Sequence, residues 1–131
     1  LCKYIKKRKN LRIITNNLAI CDELKDTDIT VYCTGGEYYK KRDSFLGPHA
    51  EEFLRSVHAD SCFFSCKGLS EEGTLTDVSE AEISIRKLMM KQSKNTYFLC
   101  DSSKLGKKYT FKLCEAEDVT QILCDRDLPN F

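Results

Sequence analysis

The segment Tyr97-Phe98-Leu99-Cys100-Asp101-Ser102-Ser103-Lys104 gathers residue types able to hold a small anionic ligand. An apolar, β-rich run ends abruptly in a carboxylate, two hydroxyls and an ammonium group. In an open α/β sheet this is the carboxyl end of a buried strand, where ligands sit. Ile29-Thr30-Val31-Tyr32-Cys33 has the same form and runs into Thr34-Gly35-Gly36. Paired glycines let backbone N–H groups approach an anion closely, and Lys104 adds positive charge. This chemistry suits a phosphorylated small molecule. It leaves open whether that molecule reacts or is only bound.

Two further segments join the group. Thr15-Asn16 follows the apolar run Leu11-Arg12-Ile13-Ile14, and Lys67-Gly68 follows Ser61-Cys62-Phe63-Phe64-Ser65-Cys66. If the strands are parallel, their carboxyl ends share one edge. Thr15, Asn16, Gly35, Gly36, Lys67, Gly68, Asp101 and Lys104 are then expected along it. Helix starts at Asn16 and Gly47 add donors and a favourable dipole for phosphate. Each piece also has a plainer reading: Gly35-Gly36 as a turn, Lys104 as a solvated loop lysine, Asp101 as a loop cap. Their convergence on one edge is what favours a ligand site.

The elements that must position these residues alternate between strand and helix. After the first run, Thr15-Asn16-Asn17 reads as a helix cap, and Leu18, Cys21 and Leu24 recur at helical spacing. Glu37 to Phe45 is polar and aromatic, and reads as extended and partly exposed. Gly47-Pro48 opens a second helix, because proline suits the first turn. Ala50, Phe53, Leu54 and Val57 form its packed face. The stretch from Lys67 to Asp77 reads as a long loop, and long loops are often functional. Ser79 with Glu82 has the form of a capping box, and Ala81, Ile85, Leu88 and Met89 are expected on one face of the helix that follows. Strands at Thr96 to Cys100, Tyr109 to Leu113 and Gln121 to Cys124 complete the series. The expected fold is α/β, with a mostly parallel sheet and helices on both faces, in a single domain over residues 1–131.

Composition bounds the function. The 131 residues, 41% hydrophobic and 31% charged, are enough for one domain with a real core. A net charge of +1 gives the chain as a whole no nucleic-acid signature. No apolar run approaches the roughly 20 residues of a membrane helix, so no membrane partner is expected. The basic run Lys3-Tyr4-Ile5-Lys6-Lys7-Arg8-Lys9 reads as a solvated helix end rather than a nucleic-acid contact. The opening at Leu1 and the absence of a signal peptide suit a fragment of something longer, in the cytoplasm. Eight cysteines would fit a disulfide framework in a small secreted domain. Here Cys33, Cys62, Cys66, Cys100 and Cys124 lie within apolar runs, where free cysteine acts as a small buried hydrophobe. No C-x-x-C pair occurs, so neither a metal site nor a cofactor is expected.

An ordered set of motifs carries a resemblance. It comprises Thr34-Gly35-Gly36 with Phe45-x-Gly47, the strand Ala59-Asp60-x-x-Phe63 and the turn Lys67-Gly68-Leu69. Gly73-x-x-x-Asp77, Glu82 and Asp101-Ser102-Ser103-Lys104-x-Gly106 follow, and Ile14-Thr15-Asn16-Asn17 fits the same pattern. Over residues 11–129 the set resembles the effector domain of the DeoR family of bacterial transcription regulators. The resemblance implies a fold related to ribose-phosphate isomerases, glucosamine-phosphate deaminases and CoA-transferases. It also implies a phosphorylated sugar or related metabolite as effector, and operator DNA as the partner of an N-terminal winged helix. By motif, Thr15, Asn16, Gly35, Gly36, Asp101 and Lys104 would line the effector pocket, with Glu80 or Glu82 contributing. The winged helix and the family's first phosphate loop are expected upstream of Leu1. The Ser65-Cys66-Lys67-Gly68 turn departs from the pattern by placing cysteine and lysine where small residues are commoner.

Three functions compete. A sugar-phosphate isomerase or deaminase needs a positioned general base, and Asp77, Glu80 and Asp101 are available carboxylates. His49 and His58 read as surface or packing residues. A pure oligomerisation module would rest on exposed aromatics such as Tyr38, Tyr39 and Phe45. The ordered motifs favour the third function: a ligand sensor, acting as a homo-oligomer and without catalytic residues.

Overall fold

Short apolar runs separated by amphipathic segments fold into strand–helix–strand units in the computed structural model, which describes residues 2–128. The chain divides into two units, Leu1–Ser56 and Val57–Phe131. Pro129, the last residue of the family resemblance, lies outside the described residues, as do Leu1, Asn130 and Phe131, the ends of the expected domain.

The first unit opens with a single helical turn, Cys2–Ile5 (α1), and its basic continuation is exposed. Arg12–Thr15 (β1) and Thr30–Cys33 (β2) are parallel neighbours, with Thr15 opposite Cys33. The helix between them, Leu18–Leu24 (α2), supplies the crossover that parallel pairing demands. Asn17 caps it: the side-chain Oδ1 accepts a hydrogen bond from Ile20 N at 3.2 Å. Asn17→Ala should therefore cost about 1 kcal/mol of unfolding free energy, read from urea denaturation.

Glu37–Tyr39 (β3) and Ser44–Leu46 (β4) form an antiparallel hairpin. This gives form to a segment read from sequence only as extended. Asp43 sits in its turn at φ 54°, and the Tyr38 hydroxyl donates to the Asp43 carboxylate. Pro48–Arg55 (α3) follows and buries Ala50 and Leu54. With Leu24, Ile29 and Leu46 these residues make the apolar interior of the unit.

In the second unit Ala59–Phe64 (β5) precedes two strands within the segment read as a long loop, Gly68–Leu69 (β6) and Thr74–Asp77 (β7). They are antiparallel, joined by a turn in which Gly73 takes φ 85° and Gly73 N donates to Ser70 O. Glu80–Lys91 (α4), Ser93–Cys100 (β8), Phe111–Glu115 (β9) and Gln121–Cys124 (β10) complete the unit. The parallel sheet runs β10-β8-β5, and a second, antiparallel sheet runs β6-β7-β9.

The fold is thus α/β with parallel sheets, and the strand near residues 109–113 corrects the expectation of one series. It pairs antiparallel with β7, because the tight Ser70–Gly73 reversal leaves β7's other edge open to it. The unit's interior stacks Phe64 on Phe98 at a ring separation of 5.5 Å, with Leu69, Leu75, Ile83 and Leu113 around them.

Three packing expectations change. Ala81 is exposed, and Glu82, Ile83 and Ile85 are the buried residues of α4. The helix packs on strands of both sheets, β8 and β9, so its buried arc is broader than one stripe. Leu18 is 40% exposed, and α2 buries only Leu24. Cys33, read as a core thiol, is exposed because it ends β2, an edge strand of a two-stranded sheet. Cys62, Cys66, Cys100 and Cys114 are buried, Cys124 is half-buried, and all are free thiols.

Candidate functional site

Lys104 is the best-anchored cation among the residues singled out from sequence. β5 and β8 are parallel neighbours, with Phe64 opposite Phe98, so the residues after them leave the sheet together. Ser65, just past β5, donates its hydroxyl to Leu99 O of β8 at 3.1 Å. The Lys104 ammonium in turn donates to Ser65 Oγ. The long side chain is thereby held over the carboxyl edge of the sheet, half-buried, with further donor capacity to spare.

Asp101 serves the loop. Its Oδ1 accepts from Ser103 N at 2.9 Å and caps the 3₁₀ turn Ser102–Lys104. The Ser103 N–H, assisted by the Ser103 hydroxyl and by Lys104 and Lys107, holds its carboxyl below the usual aspartate range. Ser102 binds a second carboxylate: its N–H donates to Asp125 Oδ1 at 2.9 Å and its hydroxyl to Oδ2 at 3.3 Å. Asp125 and Ser65 were not singled out from sequence as site residues. A signal for Asp125 was present: Leu-Cys-Asp occurs at residues 99–101 and again at 123–125. Leu123 and Cys124 pair with Leu99 and Cys100 across β10 and β8, so the repeat ends in adjacent carboxylates.

The remaining second-unit candidates are placed differently. Lys67 is exposed in the turn after β5. Gly68 is buried in β6, where a Cβ would stand 2.5 Å from Lys107 O; its small size admits that backbone. Glu80 is exposed at the start of α4. The buried carboxylates are Glu82 and Asp77. Arg86 Nη2 lies 3.0 Å from Glu82 Oε2 and Nη1 lies 3.7 Å from Asp77 Oδ2. Asp77 Oδ1 also accepts from Val78 N at 2.6 Å. Both acids are held in a structural ion network, so neither is a freely mobile base.

In the first unit Thr15, Asn16, Gly35 and Gly36 gather at the carboxyl ends of β1 and β2, as expected from parallel pairing. Thr15 is buried, and its Oγ1 accepts from Asn17 N at 3.1 Å. Asn16 is tied to the hairpin: Nδ2 donates to Phe45 O at 3.0 Å, and Asn16 O accepts from Phe45 N at 2.7 Å. The glycines differ. Gly35, at φ 65°, has open space where a Cβ would stand, whereas a Cβ on Gly36 would meet Leu46 O at 2.9 Å and Ala50 N at 3.0 Å. Gly35 is half-buried and Gly36 exposed, so the two differ in the room for a side chain rather than in access to the backbone. His49 and His58 are exposed.

Among the described residues no group of three or more His, Cys, Asp or Glu side chains is arranged to hold a metal ion. No helix of the described residues is long and apolar enough to cross a membrane.

The profile of the DeoR C terminal sensor domain matches residues 1–126. The L-fucose operon activator of Haemophilus influenzae is 31% identical over 119 residues, 90% of this chain and 48% of that protein. The uncharacterised HTH-type transcriptional regulator YulB of Bacillus subtilis is 34% identical over 119 residues, covering 90% of this chain and 46% of YulB. The HTH-type transcriptional repressor GlcR of Bacillus subtilis is 32% identical over 119 residues, covering 90% and 45%. The chain spans about half the length of these curated relatives. It belongs to the DeoR C-terminal sensor domain family of transcription regulators.

Proposed function

We propose that this sensor domain binds a phosphorylated sugar or related metabolite and thereby controls DNA binding by a winged helix-turn-helix domain of the same regulator. The observation that carries the reading is the Lys104 ammonium, fixed by Ser65 over the carboxyl ends of β5 and β8. A cation held in advance at that edge loses little freedom when it meets a phosphate. Carboxyl edges of parallel strands are also where α/β folds take their ligands. Lys67 is a second cation at the same edge, and the Ser102 and Ser103 hydroxyl oxygens, whose protons face Asp125 and Asp101, can accept from the hydroxyls of a sugar. Asp101 and Gly68 shape the turn and strand beside these groups.

The relatives' names support the regulatory half of the reading, since they are called activators and repressors, one of them of an L-fucose operon. The reading includes a fold shared with sugar-phosphate isomerases and deaminases, and a homo-oligomeric regulator. The effector acts by population shift: it favours one arrangement of the regulator and so changes its affinity for operator DNA.

The test is a thermal-stability screen of the protein carrying this chain against a panel of sugar phosphates, since a ligand of the native state raises the melting temperature. A selective increase without turnover is expected. Lys104→Ala should then weaken that ligand by about tenfold to a hundredfold, equivalent to ~1.5–3 kcal/mol for a hydrogen bond to a charged group, with the melting temperature of the free protein little changed. Turnover of the ligand would replace the sensor reading with an isomerase or deaminase. Unaltered affinity in Lys104→Ala would remove the anchor on which the reading stands.

A further inference from the structure

Eight free thiols in one small domain invite the question of which could react with one another. Cys62, Cys66, Cys100 and Cys114 are buried. Cys100 and Cys124 are in-register neighbours on β8 and β10, but the buried member shuts that pair away from a reagent. Cys21 and Cys33 are different. Cys21 lies one turn before Leu24, the residue through which α2 buries itself, and so shares the packed face of that helix. Cys33 ends β2, on the same side of the strand as Val31. α2 packs against β2, and Cys33 is the neighbouring group that acts on the Cys21 thiol. Cys33 is exposed and Cys21 half-buried, so a small molecule reaches one sulfur and the second is already beside it.

We propose that Cys21 and Cys33 form a site of reversible disulfide modification, driven by exchange with a low-molecular-weight disulfide such as glutathione disulfide. The Cys33 thiolate attacks one sulfur of the small disulfide. That S–S bond breaks, a mixed disulfide forms on Cys33, and one small thiolate leaves. The Cys21 thiolate then attacks the Cys33 sulfur, closing the Cys21–Cys33 bond and expelling the second small thiolate. The two protons given up by the cysteines go to the two leaving thiolates. The protein is oxidised by two electrons, and the small disulfide is reduced to two thiols.

The order of attack follows from access. Burial, and then the neighbouring Cys33, pushes the Cys21 thiol up to about 11, so Cys21 is the resolving rather than the attacking residue. The product would tie α2 to the last residue of β2. That residue adjoins Thr34, which holds the end of β1 through Thr34 N to Thr15 O. The bond would thus brace the strand end that carries Gly35. This inference does not depend on the identity of the effector.

The test is treatment of the native protein with glutathione disulfide, followed by digestion with trypsin without reduction and mass spectrometry. Cleavage after Lys25 places the two cysteines in separate peptides, residues 13–25 and 26–40. The expected product is these two peptides joined, with a mass lower by two hydrogens, and separated again by dithiothreitol. In Cys21→Ser, Cys33 should instead remain as the stable mixed disulfide with glutathione. The proposal is overturned if wild-type Cys33 stays glutathionylated without closing on Cys21. It is equally overturned if Cys33 does not react, or if the joined peptides form only after denaturation.

Discussion

Replacing Arg86 with alanine is expected to destabilise the protein by about 3–5 kcal/mol, the range seen when one partner of a buried ion network is removed. The side chains of Asp77 and Glu82 are 1% and 6% exposed, and Arg86 reaches both. Its removal takes away the cation that offsets two desolvated carboxylates. The void left by the guanidinium and its stem adds to the loss. Arg86→Lys should recover only part, because an ammonium cannot present two separate nitrogens to two acids in the guanidinium's planar geometry. Adding Glu82→Gln to Arg86→Ala should recover part of the loss, since it removes one of the two buried charges that Arg86 offsets, while Asp77 and the void remain. Urea denaturation at neutral pH reads all of these variants. A loss for Arg86→Ala within the half kilocalorie typical of surface substitutions would show that the network contributes nothing.

That network also marks the limit of what the sequence discloses. Glu82 is legible as a helix-start residue, because serine three positions earlier is a local signal, and Ser79 Oγ does accept from Glu82 N at 3.3 Å. Its burial is not legible. It depends on Arg86 one turn on and on Asp77 at the end of β7, and only the packing of α4 on two sheets brings them inside.

The parallel strands could be read early, because β1, β2, β5, β8 and β10 are short apolar runs ending in polar residues. The antiparallel pair β6-β7 could not. Gly68–Leu69 is a strand of two residues, too short for any periodic pattern. Gly68 shows the same difficulty within the candidate site. Its type suits a phosphate loop, but what requires glycine there is the carbonyl of Lys107, distant in sequence. Lys104, Asp101, Thr15 and Asn16 were readable as strand-end residues because parallel strands of one sheet end on the same edge of that sheet, whatever the details of packing. Ser65 was less readable: its part depends on the side chain of Lys104 folding back over the edge.

The two neighbouring glycines of the first unit should separate sharply on substitution by alanine. Gly36 faces two penalties at once. Its φ of 112° lies where L residues are strained by about 1–3 kcal/mol. A Cβ would also stand 2.9 Å from Leu46 O and 3.0 Å from both Ala50 N and Ala50 Cβ. Those are backbone atoms and a 0%-exposed side chain, so nothing flexible can yield, and overpacking adds about 1–3 kcal/mol. Gly36→Ala should therefore lose roughly 2–6 kcal/mol in total.

Gly35→Ala faces only the left-handed penalty, about 1 kcal/mol at φ 65°, because no atom lies within 4 Å of its Cβ position. Gly35→Asn should cost less still, since asparagine tolerates that region. The pair thus divides a single Gly-Gly motif into a glycine required by packing and a glycine with its open side toward solvent. Equal losses at the two positions, measured by urea denaturation, would refute the packing argument for Gly36. A Gly35→Ala protein that keeps its stability is also the right material for a binding test. Any loss of affinity there comes from the added methyl hindering approach to the backbone, free of unfolding.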